Sequence, residues 1–449
     1  MNVLVVGGGG REHALCWKLA QSPGCDRVYC APGNAGIEAV AEIAPMDVND
    51  FSALIEFARQ RQIGLTVVGP EDPLCGGIVD RFAAADLRVF GPTAAAARLE
   101  GDKAYAKKLM REAGIPTAEA RIFGPTAHEL TAARHGGKDR DESAMARLQS
   151  GFDMARDYVA TRDEGLVVKA AGLARGKGVF VHADPSDAIR TIEALMVERR
   201  LGDAGATVVV EALLSGHEVS VLALVDGRNI YLLEAATDHK RLGEADTGPN
   251  TGGMGAYSPT TTLTDADINV IKRDVFVPII DALRRDGVEY RGVLYAGLML
   301  TAGGPKVLEF NCRFGDPEAQ PILMRWESDL LEALNATVDG RLDRLDIRWD
   351  RRAAVCVVLA AKGYPDDYPK GMVIEGLDEA VAMQRVQVFH SGTARRDGNI
   401  VTAGGRVLGV TALADTLASA RQRAYAAAHC IQFDGLYLRG DIAREESNR

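Results

Sequence analysis

The sequence predicts a multidomain protein of mixed α/β and α+β class. Its 449 residues exceed what one hydrophobic core usually organises, so two to four structural units are expected. In residues 1–100 short apolar runs alternate with helical stretches, which indicates a parallel sheet with helices on its faces. Further along, strand signals recur at hairpin spacing, and the last hundred residues combine short strands and turns with one helix.

The N-terminal segment is predicted to be a Rossmann-like parallel sheet with an anion site. An apolar run at residues 2–6 ends in four glycines, residues 7–10, before a helical pattern begins. Bare backbone at a helix N-terminus suits a phosphate, and the alternative is a loop that only turns tightly. The dinucleotide fingerprint G-x-G-x-x-G fails, because its third glycine would fall at Glu12 or His13.

A helix is predicted over residues 102–114, with Asp102 as its N-cap and a domain boundary near its start. Lys103 lies in the first turn, where a cation opposes the helix dipole. A bound anion would offset this charge, and so would Asp102. The polar residues 134–150 predict an exposed loop or a short solvated helix without chemistry.

Two short strands, residues 166–169 and 179–182, bracket the loop AAGLARGKG. Lys169 ends the first strand, where a lysine can hold a triphosphate oxygen while a glycine-rich loop closes over the phosphates. The Walker pattern G-x-x-x-x-G-K-[ST] is absent. Taken alone, Lys169 could equally be a solvated lysine that protects a sheet edge.

Glu309 and Asn311 are two positions apart in a predicted strand, so their side chains share a face. A carboxylate and an amide oxygen there could hold Mg²⁺ together with nucleotide phosphates, and the alternative is the polar face of an edge strand. Arg313, Asp316 and Glu318 follow directly. Because ligands bind beyond the carboxyl ends of strands in open α/β sheets, this charged cluster favours a site.

Residues 237–259 form a long segment with five glycines, two prolines and no periodicity. Such segments inside compact domains are usually functional or disordered, and the flanking strand signals argue against disorder. We therefore predict an active-site loop here.

Composition excludes several classes of function. The formal net charge of −10 argues against a nucleic-acid or membrane partner. The longest apolar runs, such as residues 353–361, are too short to cross a bilayer, and the N-terminus lacks the features of a signal peptide. Seven cysteines without a C-x-x-C pair are expected to be reduced and mostly buried. We expect a cytoplasmic enzyme that acts on small molecules.

Motifs over almost the whole chain resemble the phosphoribosylamine–glycine ligase family of the ATP-grasp superfamily, most specifically TGPNTGGMGAYSP and EFNCRFGDPE. The resemblance implies that ATP phosphorylates glycine and that 5-phosphoribosylamine attacks the glycyl phosphate. The products would be glycinamide ribonucleotide, ADP and phosphate, in purine (IMP) biosynthesis. It also implies Mg²⁺, with Mn²⁺ as an alternative, and a monomer, with a weak dimer as the alternative.

The resemblance assigns site residues position by position. The metal ligands would be Glu309 and Asn311. The nucleotide would meet Lys103, Lys169, Gly176, Lys177, Gly178, Glu211, Ala212, Leu213 and Glu218. The catalytic residues near glycine and the reacting phosphate would be Arg313, Asp238 and Lys240, with Arg313 expected to grip the glycine carboxylate bidentately. The substrates would further meet Gly8, Gly9, Gly10, Arg11, Glu12, Asn34, Gly36, Glu71, His239, Gly252 and Gly253.

The expected division is an N-terminal substrate-binding domain at 1–102, an ATP-grasp domain at 103–345 with a lid at about 121–206, a C-terminal mixed β domain at 346–443, and a tail at 444–449. Residues 134–150 look like an insertion in the lid. Four departures from the family pattern make the nucleotide pocket less negative: Ala171, Arg175, Ala212 and His217.

Three other functions stay open at this point. Another ATP-grasp ligase or carboxylase would share the lysine and metal chemistry but should lack TGPNTGGMGAYSP. An ATP-binding protein without turnover would be compatible with the departures at Ala171 and Arg175. A dehydrogenase is least favoured, because the dinucleotide fingerprint fails.

Overall fold

The computed structural model describes residues 1–125, 138–174 and 176–444, and side chains between 138 and 145 are not described. The predicted fold class is confirmed: a parallel N-terminal sheet is followed by antiparallel sheets in the middle and C-terminal parts of the chain, with helices beside them. Among the described residues, no helix combines the length and apolar character needed to span a membrane. All seven cysteines are free thiols.

The N-terminal sheet has five parallel strands in the order β3-β2-β1-β4-β5. Its strands are β1 Asn2–Gly7, β2 Arg27–Pro32, β3 Glu42–Ile43, β4 Ile63–Val68 and β5 Val89–Phe90. Its helices are α1 Gly10–Leu19, α2 Phe51–Gln60, α3 Glu71–Cys75, α4 Ile78–Ala84 and α5 Ala94–Gly101. In β1, Val3 and Val5 pack into one core while Leu4 and Val6 pack into another. A strand buried on both faces is therefore apolar throughout, as the sequence shows.

Two four-stranded sheets form the middle of the chain. The first, in the order β6-β9-β7-β8, contains β6 Ala120–Phe123, β7 Leu166–Ala170, β8 Val179–His182 and β9 Val208–Ala212, with helices α7 Lys138–Ala160 and α8 Pro185–Met196. The second, in the order β11-β10-β16-β17, contains β10 His217–Asp226, β11 Ile230–Leu232, β16 Arg291–Thr301 and β17 Gly304–Asn311. Its core also takes residues from α6 Lys103–Glu112, α9 Asp265–Ile271, the π-helix Lys272–Phe276 and α10 Val277–Arg285.

The third antiparallel sheet combines strands from both sides of the expected boundary at residue 346. It contains β12 Thr237–Asp238, β15 Gly255–Ser258, β18 Ala353–Ala361, β19 Val386–His390, β22 Arg406–Ala414 and β23 Leu436–Tyr437. The remaining helices are α11 Ala319–Arg325, α12 Leu330–Asp339, α13 Leu377–Ala382 and α14 Leu417–Ala428. There are also two hairpins among the described residues: β13 Arg241–Gly243 pairs with β14 Thr247–Asn250, and β20 Thr393–Arg396 pairs with β21 Asn399–Thr402. Short 3₁₀ turns lie at Ile37–Ala39, Gly202–Gly205, Glu244–Asp246 and Leu342–Arg344.

Two sequence expectations need correction. Of the polar stretch 134–150, residues 134–137 lie outside the described residues, and residues 138–150 are not a loop or a short helix but belong to α7, a helix of 23 residues. The helix continues because Leu148, Phe152 and Val159 recur on one buried face. The segment 237–259 is not wholly irregular either, since it contains the short strands β12 to β15, which pair with one another or with β18.

Candidate active site

The two middle sheets together line a cavity of about 520 Å³, which the N-terminal and C-terminal segments also reach. The predicted site residues that line it are Arg11, Glu71, Lys103, Lys169, Gly176, Gly178, Glu211, Ala212, Leu213, Glu218, Asp238, Lys240, Gly252, Glu309, Asn311 and Arg313. The predicted site residues that the structure describes outside this lining are Gly8, Gly9, Gly10, Glu12, Asn34, Gly36, Lys177, His239 and Gly253.

Lys169 is a buried cation held in one position. Its Nζ lies 3.0 Å from Glu211 Oε2 and donates a hydrogen bond of 2.8 Å to the carbonyl oxygen of Leu308. The β16–β17 ladder shifts register between Gly297 and Leu298, so Leu308 is left out of the pairing and its carbonyl can face the lysine. The structure therefore excludes a solvated edge lysine at this position.

Glu211 also binds a second buried lysine. Lys107 Nζ lies 2.9 Å from Glu211 Oε1, and burial lowers the pKa of Lys107 although Glu211 opposes this. One carboxylate between two ammonium groups leaves this end of the cavity positive. Such a charge suits a polyphosphate.

Glu309 and Asn311 share one face of β17, and both open on the cavity. Burial would raise the pKa of Glu309, but nearby cations outweigh it and hold the pKa below its usual value. These cations are Lys240, Lys103, Lys169 and Arg313. Among the described residues, no cluster of three or more His, Cys, Asp or Glu is arranged to hold a metal. A two-oxygen donor set fits Mg²⁺, which usually takes one or two protein ligands besides waters and substrate phosphates.

Arg313 lies between two carboxylates from the N-terminal segment. Its Nη2 lies 2.7 Å from Glu100 Oε1 and its Nε lies 3.2 Å from Glu71 Oε2. The guanidinium also donates to Asn311 Oδ1 and to the carbonyl oxygen of Phe314. A guanidinium has five N–H donors, so a bidentate grip on a substrate carboxylate would have to displace one of these acceptors.

The two carboxylates on Arg313 differ in proton affinity. Burial would raise the pKa of Glu71, but Arg313 and Arg11 outweigh it and lower the pKa to about 2. Burial raises the pKa of Glu100 to about 7, against the pull of Arg313. Glu71 is thus the permanent counter-charge of Arg313, and Glu100 is the carboxylate that protonates first.

Asp238 and Lys240 face the cavity, but His239 between them does not. The Lys240 ammonium lies 3.4 Å from both Asp238 Oδ1 and Glu218 Oε2. Because successive side chains of an extended chain point in opposite directions, the His239 ring points away from the cavity. Its Nε2 accepts a hydrogen bond from the backbone N–H of Ala443 at 3.2 Å. The structure therefore places His239 outside the cavity lining, although the sequence assigned it to the substrates.

A buried chain of hydrogen bonds starts at Asp238. Its Oδ1 accepts from Ser220 Oγ at 3.2 Å, and Ser220 Oγ lies 2.8 Å from the Tyr295 hydroxyl. The Tyr295 hydroxyl donates to Glu318 Oε1 at 2.6 Å. The chain thus connects the cavity wall at Asp238 with the N-terminal side of α11.

The glycine loop before α1 is filled by the side chain of Glu12. The carboxylate accepts from the backbone N–H of Gly9 at 2.6 Å and pairs with Arg11 Nε at 2.6 Å. A Cβ at Gly7 would lie 2.5 Å from Glu12 Cγ, so the close approach of this side chain explains the missing side chain there. The Gly9 N–H group that was predicted to meet a phosphate is therefore already bound to a carboxylate of the chain itself.

Asn34 ties the same loop to the C-terminal sheet. Its Nδ2 donates to the carbonyl oxygens of Gly8 at 2.9 Å and His390 at 2.7 Å. A Cβ at Gly36 would lie 2.2 Å from the His390 ring, and one at Gly10 would lie 2.6 Å from Ser391 Oγ. In this structure Asn34, Gly36 and Gly10, which were predicted to meet a substrate, contact residues 390 and 391 of the C-terminal part of the chain.

Arg406, at the start of β22, brings a cation from the C-terminal sheet to the cavity. Its Nη1 donates to the carbonyl oxygens of Gly252 and Asp316, both at 2.6 Å. Next to it, Gly253 is enclosed, since a Cβ there would lie 2.5 Å from Pro317. Arg406 therefore fixes the segment around Gly252 against the turn that follows β17.

The hairpin of β13 and β14 is held by Arg439, which lies 198 residues after Arg241 in the sequence. Arg439 is 1% exposed, and its Nη1 donates to the Arg241 carbonyl oxygen and to Asp246 Oδ1, both at 2.9 Å. Ala245 and Asp246 adopt left-handed φ angles of 52° and 51° without being glycine. Asp441, which also pairs with Arg439, accepts from the Ala245 backbone N–H at 2.8 Å and supports this turn.

Three of the four departures from the family pattern lie among the described residues. Ala171 is buried, and its carbonyl oxygen accepts from Lys103 N at 2.8 Å, which holds the first turn of α6. Ala212 lines the cavity, whereas His217 is exposed at the start of β10. Arg175 lies outside the described residues. Lys177 is exposed.

Sequence reasoning missed several residues that shape the site. These are Glu100, Lys107, Ser220, Tyr295 and Arg406. Only Tyr295 gave a usable signal, because it is a polar side chain inside the apolar run VLYAGLML. The others act through partners that are far away in the sequence.

Comparisons with known proteins cover nearly the whole chain. Residues 1–100, 141–319 and 354–445 match the N domain, the ATP-grasp (A) domain and the C domain of phosphoribosylglycinamide synthetase. The phosphoribosylamine–glycine ligase of Rhodopirellula baltica is 46% identical, with 98% of this chain and 97% of that protein covered. The same-named protein of Caldanaerobacter subterraneus subsp. tengcongensis is 45% identical, with 99% of each covered.

Solved structures give the same result. The crystal structure of phosphoribosylamine–glycine ligase from Thermotoga maritima aligns with a TM-score of 0.79 and 32% identity, over 99% of this chain and 100% of that one. The biotin carboxylase of Campylobacter jejuni aligns with a TM-score of 0.68 at 15% identity, over 100% of this chain and 95% of that one. The second match shows a shared fold alone.

Proposed function

The chain belongs to the phosphoribosylglycinamide synthetase family, and on that premise we propose that it is the ATP-dependent ligase that joins glycine to 5-phosphoribosylamine. The products are glycinamide ribonucleotide, ADP and phosphate, formed through glycyl phosphate in purine biosynthesis. The observation that carries the proposal is the cavity in which Lys103, Lys169, Lys240 and Arg313 surround Glu309.

The first step makes the glycine carboxylate reactive. A carboxylate is a poor electrophile, so it attacks the γ-phosphorus of ATP and becomes an acyl phosphate. Phosphoryl transfer of this kind needs positioning and charge neutralisation more than covalent help from the protein. In our proposal Lys169, fixed between Glu211 and Leu308, binds the triphosphate, and Lys240 neutralises the transferring group.

A divalent metal completes the nucleotide site in this proposal. Glu309 and Asn311 would hold Mg²⁺, with Mn²⁺ as an alternative, because an ionised carboxylate and an amide oxygen share one face of β17. When bound, the ion neutralises charge on the nucleotide phosphates. The base and ribose would occupy the part of the cavity lined by Ala212, Leu213 and Glu218.

The second step requires protection from water. Glycyl phosphate hydrolyses readily, and a closed cavity prevents this. The loop between β7 and β8 approaches the end of β14: Asn250 Nδ2 donates to the Val179 carbonyl oxygen at 3.3 Å, and a Cβ at Gly176 would lie 3.7 Å from the Thr251 carbonyl oxygen. We propose that these two segments form the lid and its seat.

The proposal includes the remaining expectations from the sequence. It keeps the four-part domain division, with boundaries after residues 102, 345 and 443, although β12 and β15 pair into the sheet of the C-terminal part. We also propose that the protein acts in the cytoplasm as a monomer, since its substrates are small metabolites and its cavity is built from one chain.

The test is release of inorganic phosphate from ATP and Mg²⁺ with 5-phosphoribosylamine generated in the assay. We expect release that requires both glycine and the amine, with little release when alanine or serine replaces glycine. The control is the same mixture without glycine. Binding of ATP without glycine-dependent release, in a protein shown to be folded, would replace the ligase with an ATP-binding protein that lacks turnover.

A further inference from the structure

We propose that Glu318 is the terminal acceptor of the proton that the attacking amine loses, and that this proton travels from Asp238 through Ser220 and Tyr295. The inference rests on the proposed function and deepens it. Its basis is the unbroken chain of contacts of 3.2, 2.8 and 2.6 Å between these four side chains.

The chain is shielded from bulk water along its length. Ser220 is fully buried, Tyr295 and Glu318 are each 3% exposed, and Asp238 is 8% exposed. The four residues come from β10, β12, β16 and the residue before α11, so four separate elements converge to place them. Buried polar groups are costly unless they are fully hydrogen-bonded, and a continuous network of this kind is therefore well ordered.

Amide formation must dispose of one proton. As the nitrogen–carbon bond forms and the carbon–oxygen bond to phosphate breaks, the nitrogen becomes cationic and has to lose a proton. Asp238 faces the cavity and can take it. However, Asp238 also pairs with the Lys240 ammonium at 3.4 Å, and a proton kept on Asp238 would break this ion pair. Asp238 is thus a first acceptor that passes the proton on.

Glu318 is better suited to keep the proton. Burial raises the pKa of Glu318, and the negative charge of Asp238 raises it further. Two hydroxyl groups connect Asp238 to Glu318, so a proton on Asp238 can move along them to Glu318. Glu318 lines the same cavity and can release the proton when the products leave.

The hydrogen bonds allow the transfer without a missing donor. Because the single Tyr295 hydroxyl proton is donated to Glu318, Ser220 must be the donor in the Ser220–Tyr295 contact, and Asp238, once protonated, donates to Ser220. When protonated Asp238 gives its proton to Ser220 Oγ, Ser220 passes its own to Tyr295, and Tyr295 passes its own to Glu318. The leaving phosphate takes a proton from solvent, and Glu318 returns one to solvent on product release, so the cycle balances.

The experiment separates the two chemical steps. The rate of product formation is measured for wild type, Glu318→Gln and Tyr295→Phe in two assays. The first assay forms glycinamide ribonucleotide, and the second forms glycyl hydroxamate from hydroxylamine in place of the amine. Hydroxylamine is a weak base that loses its proton readily after attack, so it traps glycyl phosphate without the relay. We expect both variants to lose about 10²-fold in kcat for the ribonucleotide, the size of a general-base effect, with unchanged KM for ATP and unchanged hydroxamate formation.

Two further variants keep the test sound. Ser220→Ala removes one small hydroxyl from the middle of the chain and should give the same selective loss, even if a larger change disturbs folding. Tyr290→Phe is the matched control. It removes another buried hydroxyl, which donates to the Val293 carbonyl oxygen and takes no part in the hydrogen-bond chain from Asp238 to Glu318. Equal loss of both products, or no loss in an active enzyme, would overturn the relay. Failure of wild type to make either product would instead overturn the proposed function and the relay with it.

Discussion

Glu100 Oε1 lies 2.7 Å from Arg313 Nη2, and the two side chains are only 7% and 15% exposed. The other oxygen of Glu100 accepts from the backbone N–H of Cys312 at 2.7 Å. One carboxylate at the end of α5 therefore fixes both the direction of the chain after β17 and the position of Arg313.

Glu100→Gln should destabilise the protein and misplace Arg313. The amide keeps an acceptor for Cys312 N but loses the ion pair, and removing one partner of a buried pair costs about 3 kcal/mol. We expect a lower urea midpoint and a higher KM for glycine. Glu375→Gln, at an exposed position, is the control and should leave both unchanged. A glycine KM equal to that of wild type would contradict the positioning role.

Glu309→Gln and Asn311→Ala should each reduce kcat by more than about 10²-fold, because each removes a metal ligand from the nucleotide site. The requirement for Mg²⁺ should shift to higher concentration in Mg²⁺ titrations of phosphate release. Glu289→Gln, which changes an exposed glutamate beside β16, serves as the control. Near-normal turnover in either metal-site variant would refute the metal assignment.

Arg439→Met should loosen the hairpin between β13 and β14. The substitution removes charged hydrogen bonds to Asp246 and Asp441, so we expect a loss of about 2 kcal/mol in the free energy of unfolding. Limited proteolysis should then cut the hairpin faster, and the KM of both substrates should rise. Arg385→Met, whose guanidinium lies on the surface near Asp415, provides the comparison. Unchanged proteolysis would show that the hairpin holds its shape alone.

Acid should destabilise the contact between α1 and β19 through two buried histidines. Burial lowers the pKa of His13 to about 3, with a contribution from His390, and lowers the pKa of His390 to about 4. Both pKa values lie below the unfolded value near 6.5, so the stability they contribute is present above pH 6.5 and is lost as pH falls toward 4.

Each histidine should cost about 1 kcal/mol of unfolding free energy between pH 7 and pH 5.5. Urea titrations at the two pH values measure this difference. His13→Gln keeps a side-chain acceptor for the His390 backbone N–H and should reduce the loss by about half. A pH dependence identical to that of wild type would assign the acid sensitivity to other groups.

Local patterns were enough to predict much of the fold and part of the site. Period-two spacing placed Glu309 and Asn311 on one face, and a strand end placed Lys169 at the cavity. These inferences succeed because they depend only on the geometry of one strand. The strand–loop–helix unit at the N-terminus was likewise visible from adjacent residues.

What the sequence could not show depends on distant partners. No local pattern indicates that Asn34 binds the His390 carbonyl oxygen, or that Glu100 meets Arg313. His239 was assigned to the substrates because its neighbours match the family. Its ring turns away because strand alternation applies within the motif as well.

The contacts of Arg439 with residues 241–246 also order events during synthesis. The hairpin leaves the ribosome long before residues 436–444 are translated, and until then its left-handed turn at Ala245 and Asp246 has neither Arg439 nor Asp441 beside it. A chain that stops early thus carries the lysines that line the cavity but leaves the hairpin of β13 and β14 without its support. Cells would therefore gain ligase activity only from chains translated through this segment.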